Sequence, residues 1–322
     1  MIKKPRTLPL HIQKLQALLR RLPPDHTDRL AISDNLAKRI AGYKGECDID
    51  YFISYLSDQE YHIFHDLRLN NGERYFQLDT LILSKYFILI IEVKNITGTL
   101  FFDTNFNQLI RKTETKQESF PDPILQVTLQ CENLKRWLTH NKYTTIPIES
   151  VIVISTPRTM LETTPNNKRI YSKVIHNAKL PMHIQTFEKT YQTEILTTKQ
   201  LTKLSHHLLQ NHEPLKVDIL GYYKIPKSSI VTGVQCGKCQ VIPVNRENGT
   251  WRCPSCGHIS KHAHIQALQD YALLIDTTIT NRKMREFLRL ESSYVTKRLL
   301  ASMKLTYTGY KKDRVYQLTP LE

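Results

Sequence analysis

The chain lacks any apolar run long enough to cross a bilayer; its stretches of branched and aromatic residues, such as Phe87–Ile91, have the length of a buried strand. The basic start, Met1-Ile2-Lys3-Lys4-Pro5-Arg6, is not followed by an uninterrupted apolar stretch and a small-residue cleavage site. No secretory leader is therefore expected, and the expected location is cytoplasmic. Internal repeats and low-complexity tracts are absent as well, which leaves ordinary globular domains. Acid is in short supply: 30 Asp and Glu stand against 45 Lys and Arg, a formal net charge of +15. Such an excess suits a polyanionic partner, nucleic acid before an anionic membrane surface, with a basic protein of neither kind as the alternative. Cysteine is sparse too. Of six, Cys47 and Cys131 stand alone and read as reduced thiols, and no base near Cys47 in sequence would make it a nucleophile.

A hydrophobic content of 40% over 322 residues supports a real core, in one large domain or two to three small ones. Residues 1–22 carry six Lys and Arg and no acid, with leucines interleaved, and end at Pro23-Pro24. They predict a basic amphipathic helix that packs its leucine stripe against the next domain. A second helix is expected from Asp28 through Lys44 and onward, delivering Glu46.

The densest signal is Gln77-Leu78-Asp79-Thr80-Leu81-Ile82-Leu83 followed, after Ser84-Lys85-Tyr86, by Phe87 to Asn95. Two branched-rich segments around a three-residue turn predict a β-hairpin. With the turn centred near Lys85, Asp79 falls almost opposite Ile91 and Glu92, and strand alternation puts Glu92 and Lys94 on one face. Two carboxylates and an ammonium thus converge in an apolar hairpin. That is costly unless they pair with one another or hold a cation. Short strands are expected at Thr99–Asp103 and Gln108–Arg111, and then a polar loop from Lys112 to Ser119. A helix opened by Pro121 and Pro123, a buried strand at Ser150–Ser155 and a helix over Thr197–Gln210 follow. The order points to a mixed α/β sandwich.

Cys236-Gly237-Lys238-Cys239 and Cys253-Pro254-Ser255-Cys256 are two CxxC knuckles thirteen residues apart. Four thiolates at that spacing can surround a structural Zn²⁺, with the segment between them forming the hairpin of a zinc ribbon. Disulfides are disfavoured by the expected compartment, and His258 reads as a loop histidine rather than a ligand. Lys238, Arg246, Trp251 and Arg252 would be displayed on that platform. From Asn281 to Arg314 there are ten Lys and Arg against three acids. A helix capped by Asn281, a second helix from Tyr294 to Met303 and a hairpin over Thr306–Leu318 with a basic tip are similar to a winged helix-turn-helix. In that arrangement Tyr294, Thr296, Lys297 and Arg298 would face a nucleic-acid groove, and Lys311, Lys312 and Arg314 would meet phosphates. A small helical cap with a solvated charge run is the alternative.

The D-(x12)-E-x-K pattern resembles the PD-(D/E)XK nuclease superfamily. Gly42-Tyr43-Lys44-Gly45-Glu46 upstream, Gly98 beyond and Pro123-Ile124-Leu125-Gln126 downstream narrow the resemblance to the nuclease-related domain, over roughly residues 35 to 160. The resemblance implies an α/β, mixed-sheet, restriction-endonuclease-like core and metal-dependent hydrolysis of phosphodiesters. Asp79, Glu92 and the Val93 carbonyl would hold Mg²⁺ or Mn²⁺, and Glu46 would complete or orient that shell. Lys94 would orient the attacking water, and Gln126 would position Lys94 or substrate. The expected organisation is a basic helical segment over 1–34, a nuclease domain over 35–210, a linker over 211–229, a zinc ribbon over 230–262 and a winged-helix-like domain over 263–322. The expected function is a nuclease acting on nucleic acid, DNA before RNA, and not on membranes. A non-catalytic DNA-binding regulator and an RNA-processing enzyme are the alternatives.

Overall fold

A computed structural model of the protein describes residues 1–143 and 146–318, so the last four residues of the expected C-terminal domain lie outside the described residues. In chain order the elements begin with β1 (Ile2–Lys4), α1 (Leu10–Arg21), α2 (Arg29–Asp48), α3 (Asp50–Ile53), β2 (His62–Asn70), β3 (Tyr75–Leu83) and β4 (Ile88–Lys94). Then come β5 (Thr99–Asp103), β6 (Gln108–Lys112), β7 (Gln117–Pro121), α4 (Pro123–His140), β8 (Ile148–Ile154) and β9 (Met160–Thr163). α5 (Lys168–Lys173), β10 (Val174–His176), α6 (Leu180–Thr190), α7 (Thr198–Gln210) and α8 (Ile219–Tyr222) follow. The chain ends with β11 (Asn245–Glu247), β12 (Thr250–Arg252), β13 (Ile259–Ser260), α9 (Ala263–Leu274), β14 (Thr278–Thr280), α10 (Asn281–Leu288), α11 (Ser293–Ser302), β15 (Tyr307–Thr308) and β16 (Val315–Gln317).

Two compact units result: Met1–Thr7 with Ile40–Leu215, and Leu8–Arg39 with Lys216 onward. The first is a mixed α/β unit on a six-stranded sheet of order β1-β2-β3-β4-β8-β10. Strands β2, β3 and β4 run antiparallel, whereas β8 lies parallel to β4, so a long crossover must join them and α4 lies in it. The expected hairpin is present, with Leu83 opposite Ile88 and Thr80 opposite Ile91. Its turn closes because Ser84 Oγ accepts the Tyr86 and Phe87 amides at 3.1 and 3.0 Å. Alternation along β4 sends Ile88 and Ile90 to one core, with Trp137 of α4 and Leu204 of α7. Leu89, Ile91 and Val93 enter another with Ile49, Ile53 and Ile184. A second sheet, β7-β6-β5-β9, includes Gln117–Pro121, so part of the expected polar loop is a strand paired with β6. α4 starts as expected, with Asp122 capping the Ile124 amide at 2.8 Å ahead of Pro123.

The two units cut across the five segments expected from the sequence. The basic N-terminal segment is divided, because Met1–Thr7 belongs to the first unit and Leu8 onward to the second. The linker expected at 211–229 contains α8, whose Ile219 and Leu220 are buried. Ribbon and winged-helix-like segment are not separate bodies either. One apolar cluster joins Leu15 and Leu18 of α1, Cys236, Trp251 and Cys253 of the ribbon, Tyr271 of α9, Phe287 of α10 and Leu300 of α11. The leucine stripe of α1 is therefore core to the C-terminal unit. Arg21 and Asp270, both fully buried and 2.7 Å apart, tie α1 to α9 within that core. Among the described residues, no helix is long and apolar enough to cross a membrane.

Candidate active site

Glu92 is the centre of the arrangement. It lies on β4, only 3% exposed, and both its oxygens are held. Lys94 Nζ and Gln126 Nε2 donate to Oε1 at 2.7 and 2.6 Å, and Gln130 Nε2 donates to Oε2 at 2.8 Å. Gln126 Oε1 in turn accepts from Lys94 at 2.9 Å. The period of two along β4 puts Glu92 and Lys94 on the face α4 covers, and the four-residue spacing of Gln126 and Gln130 aims both glutamines at them. Gln130 also donates to the Gln77 carbonyl at 3.1 Å, linking the cluster to β3.

Asp79 arrives from β3, where the last ladder pair is Thr80–Ile91. One residue further on, the Asp79 carboxylate replaces the backbone partner and accepts the Val93 amide at 3.0 Å. Burial pushes Asp79 well above the usual carboxylate range, and the negative charges of Glu92 and Glu46 push it the same way. Glu46 comes from the last turn of α2. Burial raises it to about 7, against the pull of Arg6, with Asp66 and Glu92 adding to the rise. The helix approaches closely because residue 45 is glycine. A Cβ there would collide with Asn95 Cβ and lie 2.7 Å from Ser155 Oγ, at the ends of β4 and β8.

Arg6 was not singled out by the sequence, yet it is the buried counter-charge of this end of the sheet. Its side chain is 5% exposed and donates to Glu46 at 2.7 Å, to both oxygens of Asp50 at 3.0 and 3.1 Å and to Thr80 Oγ1 at 3.2 Å. It reaches them because β1 joins the edge of the sheet in parallel with β2. Replacing Arg6 with methionine leaves two carboxylates against an apolar stem. Because both are part-exposed, the loss belongs at the lower end of the buried-pair range, about 3 kcal/mol. Urea unfolding of the full chain should show it as a lowered midpoint; an unchanged midpoint contradicts the role.

Glu46, Asp79, Glu92, Lys94 and Gln126 are thus brought to one end of the sheet. They do not close into a ready-made cage: among the described residues, only the four cysteines form a group of potential ligand atoms all within 4.8 Å of one another. Lys94 and Arg6 supply the positive charge that offsets the carboxylates. The donor set nevertheless suits a hard divalent cation, being all oxygen and crowded with negative charge in a low dielectric.

In the second unit, the sulphurs of Cys236 and Cys256 lie 3.6 Å apart and those of Cys239 and Cys253 3.4 Å. These spacings are far beyond a disulfide and near the ~3.8 Å edge of a tetrahedral ZnS₄ site. The Cys236 sulphur accepts the Lys238 and Cys239 amides at 3.4 and 3.5 Å, which shapes the first knuckle. His258 is outside the group; its carbonyl accepts the Cys253 amide. Trp251 is 1% exposed and Arg246 lies over its ring, so neither belongs to an outward platform, whereas Lys238 and Arg252 are exposed.

The winged-helix-like order is present, with β14 and β15 flanking β16. Thr280 rather than Asn281 caps α10, accepting the Lys283 amide, and Asn281 is the first helical residue. Ser292 caps α11, within the expected Glu291-Ser292-Ser293. Thr296 is corrected outright. It is fully buried, and its hydroxyl donates to the Ser292 carbonyl at 3.1 Å, so it cannot face a groove. Tyr294 and Arg298 are exposed, while Lys297, Lys311, Lys312 and Arg314 line one cavity.

A mixed sheet whose end gathers three carboxylates, a lysine and a helix-borne glutamine defines a nuclease-like α/β unit. Residues 41–155 match the family model of the nuclease-related domain. The match spans the helix end with Glu46, the hairpin, α4 and β8. It does not reach Arg6 or the second unit. No curated protein and no solved structure matches the chain significantly.

Proposed function

We propose that the protein is a divalent-cation-dependent nuclease that hydrolyses phosphodiester bonds, DNA before RNA, with its C-terminal unit holding nucleic acid. The observation that carries this reading is the cluster of Glu92, Lys94, Gln126 and Gln130 beside Asp79, inside the matched 41–155 region. A buried carboxylate with both oxygens fixed, next to a lysine 23% exposed, keeps one cation within reach of solvent and substrate.

Asp79, Glu92 and the Val93 carbonyl would hold Mg²⁺ or Mn²⁺, with Glu46 orienting that shell from α2. When bound, the cation supplies Lewis-acid stabilisation of the phosphoryl oxygens and a more acidic water. Lys94 Nζ, steered by Gln126 Oε1, would hold the attacking water and offset charge developing on the phosphate. Gln130 would keep the Glu92 carboxylate in one rotamer. Replacing Gln130 with leucine should therefore cost on the order of 10–100-fold in turnover, as outer-shell changes do. A variant with full kcat would remove it from the assembly. In the second unit, Cys236, Cys239, Cys253 and Cys256 would hold one structural Zn²⁺.

The competing reading is a DNA-binding regulator with an inactive nuclease-related core. It is favoured by the 2.7 Å Lys94–Glu92 pair, which satisfies both groups without any metal. Incubation with circular, linear and single-stranded substrates in Mg²⁺ or Mn²⁺ separates the two. Cleavage that requires added Mg²⁺ or Mn²⁺ supports the nuclease; retention of substrate without cleavage under all conditions supports the regulator.

A further inference from the structure

In the C-terminal unit a cavity of about 470 Å³ opens between α10, α11 and the short turn that precedes β16. Six cations line it: Arg282, Arg285, Lys297, Lys311, Lys312 and Arg314. Arg282 is answered by Glu286 at 2.9 Å, one helical turn away. Among the described residues the other five have no carboxylate within ion-pair reach. Arg314 lies over the Tyr307 ring at 4.5 Å and Lys311 over the Tyr310 ring at 5.3 Å, but five cations without a carboxylate around one hollow still repel one another, and an anion relieves that repulsion. Two of them carry a second sign. Among the described residues, Arg285 Nε and Arg314 Nε are buried without a hydrogen-bond partner, so two of the guanidiniums that line the cavity each keep an unanswered donor, although Arg285 Nη1 donates to the Glu291 carbonyl at 3.4 Å.

We propose that this cavity seats the terminal phosphate of a nucleic-acid strand. The inference rests on the reading that the second unit holds nucleic acid, and it names what part of the strand is held. A backbone diester carries one negative charge and continues on both sides, so it runs along a surface. A terminal monoester carries close to two charges at neutral pH and projects from one side only, which is what a concave, strongly positive hollow selects. The volume is of the size that admits a phosphate with its attached sugar, not a duplex. Of the four α11 positions expected at a groove, Thr296 is buried and Lys297 lines the cavity, which leaves Tyr294 and Arg298 exposed outside it.

The test uses the full chain carrying Glu92→Gln, without added divalent cation and without chelator so that the ribbon keeps its metal, with fluorescence anisotropy on oligonucleotides that differ only in bearing a phosphate or a hydroxyl at the 5′ or the 3′ end. Phosphorylated ends should bind about tenfold tighter or better, the gain expected of one additional charge-assisted contact. Arg285→Gln with Arg314→Gln should erase that preference. So should Lys311→Gln with Lys312→Gln, two exposed positions where misfolding is not at issue. Equal affinity for phosphate and hydroxyl ends overturns the inference while leaving nucleic-acid binding in place. No binding to any oligonucleotide overturns it together with the reading beneath it. Displacement of the oligonucleotide by a free nucleoside monophosphate at equal concentration identifies a small phosphate ligand instead, and also overturns it.

Discussion

Asp79→Ala is expected to abolish divalent-cation-dependent cleavage while the protein keeps its circular dichroism spectrum and its elution volume. Among the described residues the Asp79 carboxylate takes one hydrogen bond, from the Val93 amide, at the point where the β3–β4 ladder has already ended. Its burial beside Glu92 and Glu46 costs stability, so removing it relieves repulsion as much as it breaks a contact. On the proposed reading Asp79 would be a direct metal ligand, and the loss in turnover should then exceed the roughly 10–100-fold of an outer-shell change. Lys94→Ala should behave differently. Mn²⁺ binding, read by calorimetry, should persist while kcat falls, since in the proposed mechanism the lysine would act on water and phosphate rather than on the metal. Full activity in Asp79→Ala would displace the site from this end of the sheet.

The second large effect concerns the cysteines. Cys253→Ser, or stripping of metal, should unfold more than the ribbon. Cys236 and Cys253 are buried, and with Trp251 they belong to the same apolar cluster as α1, α9, α10 and α11. Zinc binding in small modules is worth about 10–16 kcal/mol, and here that free energy is coupled to the core of the whole C-terminal unit. Hydrogen exchange should show lost protection in α1 and α9 as well as in Asn245–Arg252. One zinc per chain is expected from metal analysis. Protein free of zinc with all four thiols oxidised, or a Cys253→Ser chain with unchanged protection in α9, would contradict this.

Much of the first unit was legible because its strands are branched-rich and punctuated. The hairpin, the start of α4 at Pro123, β8 and the capping box of Thr197 and Gln200 all carry local signals. Gln130 could have been found from Gln126 by adding one helical turn. Arg6 could not. Three residues of edge strand hold it in place, and its partners lie forty or more positions downstream, where no periodicity points. β2 was hidden for a related reason: His62 and His65 are buried in it, so the apolar pattern of a core strand is broken. The organisation of the second unit failed to show because its core is assembled from both ends of the sequence, Leu8–Arg39 and the residues after Lys216. Thr296 misled because burial in α11 is decided by packing against α10, not by the polarity of the side chain.

The account stands most directly on Glu92, the buried carboxylate that every other member of the site touches or faces. The measurement is cleavage of circular DNA by the full chain and by Glu92→Gln, purified in parallel and assayed with Mg²⁺, with Mn²⁺ and with chelator. The account predicts nicking or linearisation by the native chain in either cation, none in chelator and none by Glu92→Gln. Equal cleavage by both proteins, or none by either with intact DNA binding, would contradict it.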